Sequence, residues 1–416
     1  DMEPHIREWD CWMRAVGEFY DYRDTDGFGR IYQVHRRTIM PAMRVCREWG
    51  SLLLDEKTVV ACESRECADW LASLFSSTNF WGRAQEIVVR PFGLGTGLWL
   101  DVGRRLVRVR HYDARMVVPL LWDAEGVREC ALVTRAFSPA GAVDQVQCHL
   151  VGADGRYEVR TACFDGEGRE VAVPGVATIV RTGSEWPTFA FVRPAVPNTR
   201  VDFSPYGQSV FADAVDAVQS VDLAYDALIN EVDAGKMRVF LSDVMFDQEK
   251  TADGRRVPIP FGKGDCTVFR KVMSTEDTIA EFAPALRTEA QGKAFRLALQ
   301  VLGDLCGLGT NYFDLDNVGY VKTATEVSSD NSALMRNIRK NENTLSGALT
   351  GMARALLACE RNFGRDLPDE GDVSVIYDDS IVQDTASEKR QDMEEVAAGL
   401  MTREEYRARW YGEGEG

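Results

Sequence analysis

The segment from Val321 to Glu360 constrains the fold of this chain more than any other stretch. Its apolar residues recur at helical spacing, which predicts one helix of about 40 residues. The apolar positions are Val327, Leu334, Ile338, Leu345, Leu349, Met352 and Leu356. The positions between them are rich in Asn, Ser and Thr, where a core helix would carry Leu and Ala. We therefore expect a helix with a narrow apolar stripe and polar faces elsewhere.

Composition bounds the class of protein. The 416 residues are enough for two or three domains, and 45% of them are hydrophobic, which is enough to build ordinary cores. No apolar run approaches the roughly 18 residues of a membrane-spanning helix. The polar start "DMEPHIREWD" predicts no signal peptide. The formal net charge of −17 argues against binding nucleic acid through a broad basic face.

Motifs for metal binding and catalysis are missing from the sequence. Ten cysteines are scattered without a C-x-x-C pair, and there are only four histidines, so we expect reduced thiols and no metal site. No spacing typical of a catalytic triad, a zinc protease or a P-loop occurs. In "FGLGTGLWLDVG" the glycines Gly93, Gly95 and Gly97 precede a strand-like run and not a helix, so a turn or bulge explains them better than dinucleotide binding. We expect no enzyme and no cofactor.

Hydrophobic periodicity predicts an α+β chain. Residues 1–85 look mostly helical, and residues 86–192, starting with "EIVVR", alternate like an antiparallel β region of about eight strands. After a proline-punctuated linker, residues 207–235 form a predicted amphipathic helix with six acidic residues and no Lys or Arg. That charge run is either a solvated face or a surface that repels a polyanion.

Helices, strands and loops alternate along the rest of the chain. A strand and a loop-rich basic excursion at 247–272 lead into a second helix at about 285–306. The glycine-rich loop 307–320, the long helix, the strand "DVSVIYDDS" and an acidic helical tail from about residue 387 follow.

Four blocks resemble one protein family. They are "YDARMVVPLLWDAEG", "YGQSVFADAVDAVQSVDLAYDALINEV", "VKTATEVSSDNSALMRNIRKNEN" and "VSVIYDDSIVQD" with "DMEEVAAGLMTREEYRARWYG". Each is similar to a block of the portal proteins of tailed bacteriophages with long non-contractile tails that infect Gram-positive bacteria. The blocks fall in order over roughly residues 85–412.

This resemblance implies a structural protein of the virion. A ring of about twelve identical subunits would form a channel at one capsid vertex, through which double-stranded DNA is packaged and ejected. The implied partners are the terminase large subunit, the head–tail adaptor protein, and the major capsid and scaffolding proteins, with assembly in the host bacterial cytoplasm and no membrane contact.

The resemblance also implies a portal-type division of the chain. Residues 1–204 would be a wing that is helical and then antiparallel β, 205–242 the first stem helix and following strand, and 243–275 a small α/β clip. Residues 276–306 would be the second stem helix, 307–321 a tunnel loop, 322–363 the long helix, and 364–416 a wing return strand and the start of the C-terminal crown. On this basis the long helix would line a ring and not fill a core.

Candidate site residues follow by position. Transient phosphate contacts in the tunnel loop and at the start of the long helix are expected from Asn311, Tyr312, Asn317 and Lys322, with loop or helix-cap roles as the alternative. An acidic channel wall is expected from Asp213, Asp216, Asp222, Asp226 and Glu231. Contacts of the clip with its partners are expected from Arg255, Arg256 and Lys263, with a solvated loop as the alternative.

Three other functions remain open at this stage. Another ring-forming virion structural or connector protein would share most of these features. A polysaccharide- or nucleic-acid-processing enzyme would need a pocket with perturbed carboxylates. A monomeric helical adaptor would leave large apolar stripes exposed.

Overall fold

The computed structural model describes most of the chain. The described residues are 1–25, 29–54, 58–103, 106–138, 141–235, 238–242, 248–250, 256–258, 268–271, 279–282, 285–313 and 332–377, with positions 392, 393, 396, 402 and 406. Within them lie seven α-helices and seventeen strands, and the strands form separate, mainly antiparallel sheets. The predicted mixture of helix and sheet is therefore confirmed, and its assignment to portal subdomains stays a prediction.

Four helices and three short strands form the N-terminal region. They are α1 (Glu3–Arg14), β1 (Asp21–Thr25), β2 (Ile31–His35), α2 (Pro41–Leu53), β3 (Val59–Cys62), α3 (Arg65–Ser77) and α4 (Ala84–Leu94). Proline lies in the first turn of α1 and of α2, where its missing N–H has no intrahelical partner to lose. Trp9 and Trp49 are buried between these helices, and α2 packs against both α1 and α4. The dense aromatic residues thus fill a core.

The helix α4 corrects one prediction. The run "EIVVR" is helical and not a strand, because short apolar runs fit a buried helix as well as a buried strand. The helix ends at Gly95, whose φ of 83° is left-handed. A Cβ on Gly95 would lie 2.4 Å from the carbonyl oxygen of Gly207, so the two backbones cross in contact. Gly95 therefore ends α4 and allows its backbone to contact the backbone at Gly207.

The β region contains the predicted antiparallel sheet. Its strands are β4 (Gly97–Gly103), β5 (Leu106–Asp113), β6 (Val117–Asp123), β7 (Gly126–Ser138), β8 (Gly141–Val151), β9 (Tyr157–Phe164), β10 (Ile179–Arg181) and β11 (Phe191–Val192). One sheet has the order β10-β9-β8-β7-β6, and another has the order β11-β4-β5. The hairpins predicted at "WDAEGVREC" and "GADGRY" are confirmed, since β6 pairs with β7 and β8 pairs with β9.

A pair of helices follows the β region. Helix α5 (Val215–Ala234) begins eight residues later than predicted, after a 3₁₀ turn at Ala212–Ala214. The preceding residues are buried, and the Val210 N–H donates to the Phe92 carbonyl, so tertiary contacts replace the first helical turns. Helix α6 (Thr288–Leu305) packs against α5.

Short strands lie between these two helices in sequence. Strand β12 (Arg238–Ser242) pairs in parallel with β15 (Val268–Lys271) and antiparallel with β16 (Ile279–Phe282). Strands β13 (Gln248–Lys250) and β14 (Arg256–Pro258) form a separate antiparallel pair.

The next two elements are the long helix α7 (Ser332–Asn362) and the strand β17 (Val373–Ile376), which pairs with β3. Every residue of the predicted apolar stripe that lies in α7 is buried, and α7 packs against α2, α3, β3, β5, β11 and β17. The prediction that this helix does not fill a core is therefore wrong for 332–362, and the prediction that it lines a ring stays a prediction. The predicted start of the helix at 322, including Val327, lies outside the described residues.

The polar positions of α7 are explained by contacts within the chain. The Asn341 side chain accepts from the Ala195 N–H at 2.8 Å, and Asn337 donates to the Gly307 carbonyl at 2.9 Å. Ser346 donates to Glu342 within the helix and contacts the Tyr377 hydroxyl at 3.1 Å. The two amides thus satisfy backbone groups of segments that pack on the helix, and the serine hydroxyl bonds within the helix and to the Tyr377 side chain.

Candidate functional site

The helices α5 and α6 form an antiparallel pair. Glu231 near the end of α5 contacts Arg287 just before α6, and the Tyr225 and Phe295 rings in mid-helix lie 5.9 Å apart. The 3₁₀ turn before α5 packs against α6 as well. The chain thus leaves its N-terminal region along α5, passes through the short strands, and returns along α6.

One predicted wall residue is an internal structural group. Asp222 is fully buried, and its carboxylate accepts from the Tyr20 hydroxyl at 2.8 Å, the Thr38 hydroxyl at 2.7 Å and the Ile39 N–H at 3.0 Å. Burial raises the pKa of Asp222, and the hydrogen bonds oppose this shift. Asp222 therefore fastens the chain around residues 38 and 39 to α5 and presents no carboxylate to solvent, which corrects its assignment to a channel wall.

Two other wall residues are neutralised by arginines. Asp226 is mostly buried and lies 3.5 Å from Arg37, which also contacts Asp233 at 2.8 Å. Arg287 binds both carboxylate oxygens of Glu231, and these hydrogen bonds lower the pKa of Glu231 to about 2. Local sequence gave no signal for these arginines, since they lie far from α5 along the chain.

Two carboxylates remain at the start of α5. Asp213 is exposed and accepts from Gln208 at 2.7 Å, with Arg200 at 3.3 Å. Asp216 is exposed and makes no ion pair within the described part of the chain. The acidic face of α5 is thus mostly compensated by cations that other segments supply.

The predicted tunnel loop begins with a helix cap. Helix α6 ends at Leu305, and Gly307 adopts a φ of 78°, as in a left-handed C-terminal cap. The N–H groups of Leu308 and Gly309 both donate to the Gly303 carbonyl. Gly303 is required there, because a Cβ would lie 2.5 Å from the Gly309 carbonyl oxygen.

Of the four tunnel candidates, two are described. Asn311 is exposed. The Tyr312 hydroxyl donates to Glu48 on α2 at 2.7 Å, and burial together with this bond raises the pKa of Tyr312. Tyr312 is therefore anchored to α2, which favours the structural alternative for that residue. Asn317 and Lys322 lie outside the described residues.

The three residues predicted to contact partners of the clip lie in a region of which the structure describes only short strands. Arg256 begins β14, and its side chain is not among those described. Arg255 and Lys263 lie outside the described residues, so all three contacts stay predictions.

An apolar stripe on α6 was not singled out from the sequence. Leu297, Val301 and Leu305 recur every four residues and are 62%, 45% and 54% exposed. Leu299 and Leu302 on the opposite side are buried. The helix is thus apolar on two faces, of which one is buried against other described residues and the other is exposed.

Two other kinds of site are not found among the described residues. Among the described residues, no cluster of His, Cys, Asp and Glu could hold a metal ion. No helix in the described ranges combines the length and the apolar character that crossing a bilayer needs.

Comparisons with known proteins found similarity only among solved structures. No family model matches the chain, and no curated protein matches it. A chain in the neck of an empty GTA particle computed with C6 symmetry is similar, with a TM-score of 0.45, 13% identity and coverage of 88% of both chains. A chain in the neck of a native GTA particle computed with C12 symmetry has a TM-score of 0.41 and 14% identity, covering 88% of this chain and 87% of that one. Similarity at this level does not establish a shared fold.

Proposed function

We propose that this chain is the subunit of a phage-type portal, a ring through which double-stranded DNA is packaged into a capsid and later ejected. Such a ring would lie at one capsid vertex, in contact with the capsid and scaffolding proteins. The proposal rests on the sequence blocks that resemble portal proteins and on one observation from the structure, the exposed apolar face of α6.

The exposed apolar face favours association between copies of this chain. Leu297, Val301 and Leu305 would expose a continuous stripe about two helical turns long in a single chain, which favours burial against a partner. Helix α5 of a second copy offers Leu223, which is also exposed, among small and polar neighbours. A contact between different faces of identical subunits closes into a ring when the rotation between them fits.

The antiparallel helix pair fits the stem of such a subunit. The short strands β12 to β16 would then form a clip at its far end, where the terminase large subunit docks first and the head–tail adaptor later. Arg255, Arg256 and Lys263 would face acidic patches of those partners.

The charge of the chain fits a conduit for DNA. A net charge of −17 per subunit repels a duplex that carries one negative charge per roughly 1.7 Å of axis, so DNA passes without binding tightly. In the tunnel loop, we favour Asn311 over Tyr312 for a transient phosphate contact, because the Tyr312 hydroxyl is already bonded to Glu48.

The first test is the mass of the purified assembly by native mass spectrometry. A ring of about twelve chains would have a mass of about 558 kDa, twelve times the 46.5 kDa of one chain, with a central hole in electron micrographs. A monomer that persists at micromolar concentration, also with scaffolding and capsid protein present, would contradict the proposal.

A point variant tests the interface itself. Leu297→Glu places a charge in the stripe and should dissociate the ring, because an unpaired charge would be buried against the next copy. The matched control is Ala72→Glu, an exposed position on α3 that receives the same charge. If both variants assemble equally well, the α6 stripe is not the interface. A ring that forms but does not support DNA packaging in a reconstituted capsid would favour the alternative, another ring-forming connector of the virion.

A further inference from the structure

A small cavity lies between α4 and the end of β5, outside the helix pair. Its volume is about 260 Å³, which admits a small molecule. Five charged side chains and His111 line it: Arg83, Glu86, Arg90, Asp113 and Arg115 are the charged ones. This lining holds three arginines against two carboxylates, so the cavity is cationic overall.

His111 lines this cavity as a neutral side chain. Its Nδ1 is buried and has no hydrogen-bond partner within the described residues, while its ring lies 6.4 Å from that of Phe80. Burial, and then the charge of Arg83, lower the pKa of His111 to about 4, so the imidazole is neutral at pH 7. The charge of the cavity is therefore set by its arginines and carboxylates.

Arg83 and Arg90 supply two guanidinium groups to the cavity. They lie seven residues apart, which places them on one face of the α4 segment, and both are exposed. Neither makes an ion pair within the described part of the chain. Arg115 differs, because Asp113 and Asp10 already occupy its guanidinium.

We propose that this cavity binds a phosphate-sized oxyanion between Arg83 and Arg90. Their guanidinium groups provide charge and paired N–H donors. The neutral His111 ring forms part of the cavity wall. Glu86 lines the same cavity and weakens the site by repulsion. The proposal is independent of ring assembly, since every lining residue belongs to one chain.

The test is calorimetric titration of the full-length chain with inorganic phosphate, at an ionic strength held constant with sodium chloride. Saturable binding is expected with one site per chain. Arg83→Gln and Arg90→Gln should each weaken it about tenfold, since each removes a charge-assisted hydrogen bond. Glu86→Gln should tighten binding, because it removes the opposing charge. Arg47→Gln, an exposed position on α2 outside the cavity, is the matched control and should leave the affinity unchanged.

One further arm completes the test. A nucleoside 5′-monophosphate that binds more tightly than phosphate, with the same dependence on Arg83 and Arg90, would place the anion on a larger ligand. Equal or weaker binding of the nucleotide would identify free phosphate as the ligand. No saturable heat with either probe, or affinities unchanged in the arginine variants, would overturn the site.

Discussion

Replacing Tyr20 with Phe should loosen the attachment of the N-terminal region to α5. Tyr20 is fully buried, and its hydroxyl donates to the buried Asp222 carboxylate at 2.8 Å. Tyr20→Phe keeps the ring and removes the hydroxyl, with its hydrogen bond to Asp222 and its interaction with Thr38. A bond to a charged group contributes about 1.5–3 kcal/mol, so the protection of nearby amides from exchange should fall roughly 10- to 150-fold.

The effect should also depend on pH in one direction. Burial raises the pKa of Asp222 above its ordinary value of 3.8, and the Tyr20 hydrogen bond is among the contributions that hold the rise back. Without that bond the pKa of Asp222 in the folded state rises further. A group with a raised pKa contributes stability below its ordinary pKa and loses that contribution as pH rises through the folded value. The difference in melting temperature between wild type and Tyr20→Phe should therefore widen from pH 4 to pH 7.

Hydrogen–deuterium exchange across residues 38–40 and the middle of α5 is the direct assay. The matched control is Tyr22→Phe, because the Tyr22 ring lies under the Arg36 guanidinium but its hydroxyl has no hydrogen bond within the described residues. Equal protection in wild type and Tyr20→Phe, or an equal loss in both variants, would refute the assignment of Asp222 as the buried anchor.

Two more predictions concern the helix pair and the backbone crossing. Glu231→Gln should lower the melting temperature at pH 7 and have progressively less effect as pH falls from 4.5 towards 2. The reason is that the depressed pKa of Glu231 gives a contribution to stability that is lost over this pH range. An equal difference in melting temperature between wild type and variant at pH 6 and at pH 3 would contradict this role for Arg287. Gly95→Ala should reduce soluble yield and melting temperature sharply, since its Cβ would collide with Gly207 at a left-handed φ, whereas Gly292→Ala on α6 has open space and should stabilise by up to about 1 kcal/mol. A Gly95→Ala protein that melts like wild type would show that the crossing tolerates a side chain.

Sequence periodicity predicted the elements whose burial pattern is regular. The alternation along β6 to β9 and the apolar stripe of α7 both appear in the structure, because each side chain's environment there follows from strand or helix geometry. The run at α4 was assigned to the wrong class, because its short apolar stretch fits a buried helix as well as a buried strand and its period carries little information. The predicted start of α5 was too early, because residues before Val215 pack against and hydrogen-bond to other segments and do not form the first helical turns.

Partners distant in sequence could not be predicted for the candidate site. The charge run of α5 looked unopposed, yet Arg37 and Arg287 approach it from either side. In the same way, the Tyr312 hydroxyl is engaged by Glu48, more than 250 residues earlier in the chain. Ion pairs of this kind depend on tertiary contacts, which a local pattern does not encode.

The compensation of α5 changes how repulsion of DNA would arise in the proposed ring. If every acidic side chain of the helix faced a lumen, the wall alone would repel a duplex. In this chain Asp222 is buried, Asp226 and Glu231 are paired, and Asp216 is the acidic residue of α5 that is exposed without an ion pair among the described residues. The excess of negative charge therefore belongs to the subunit as a whole, at −17, more than to this helix. Repulsion spread over a whole ring acts over about a Debye length and falls with salt, so a conduit built this way would keep DNA from adhering without any single residue being essential.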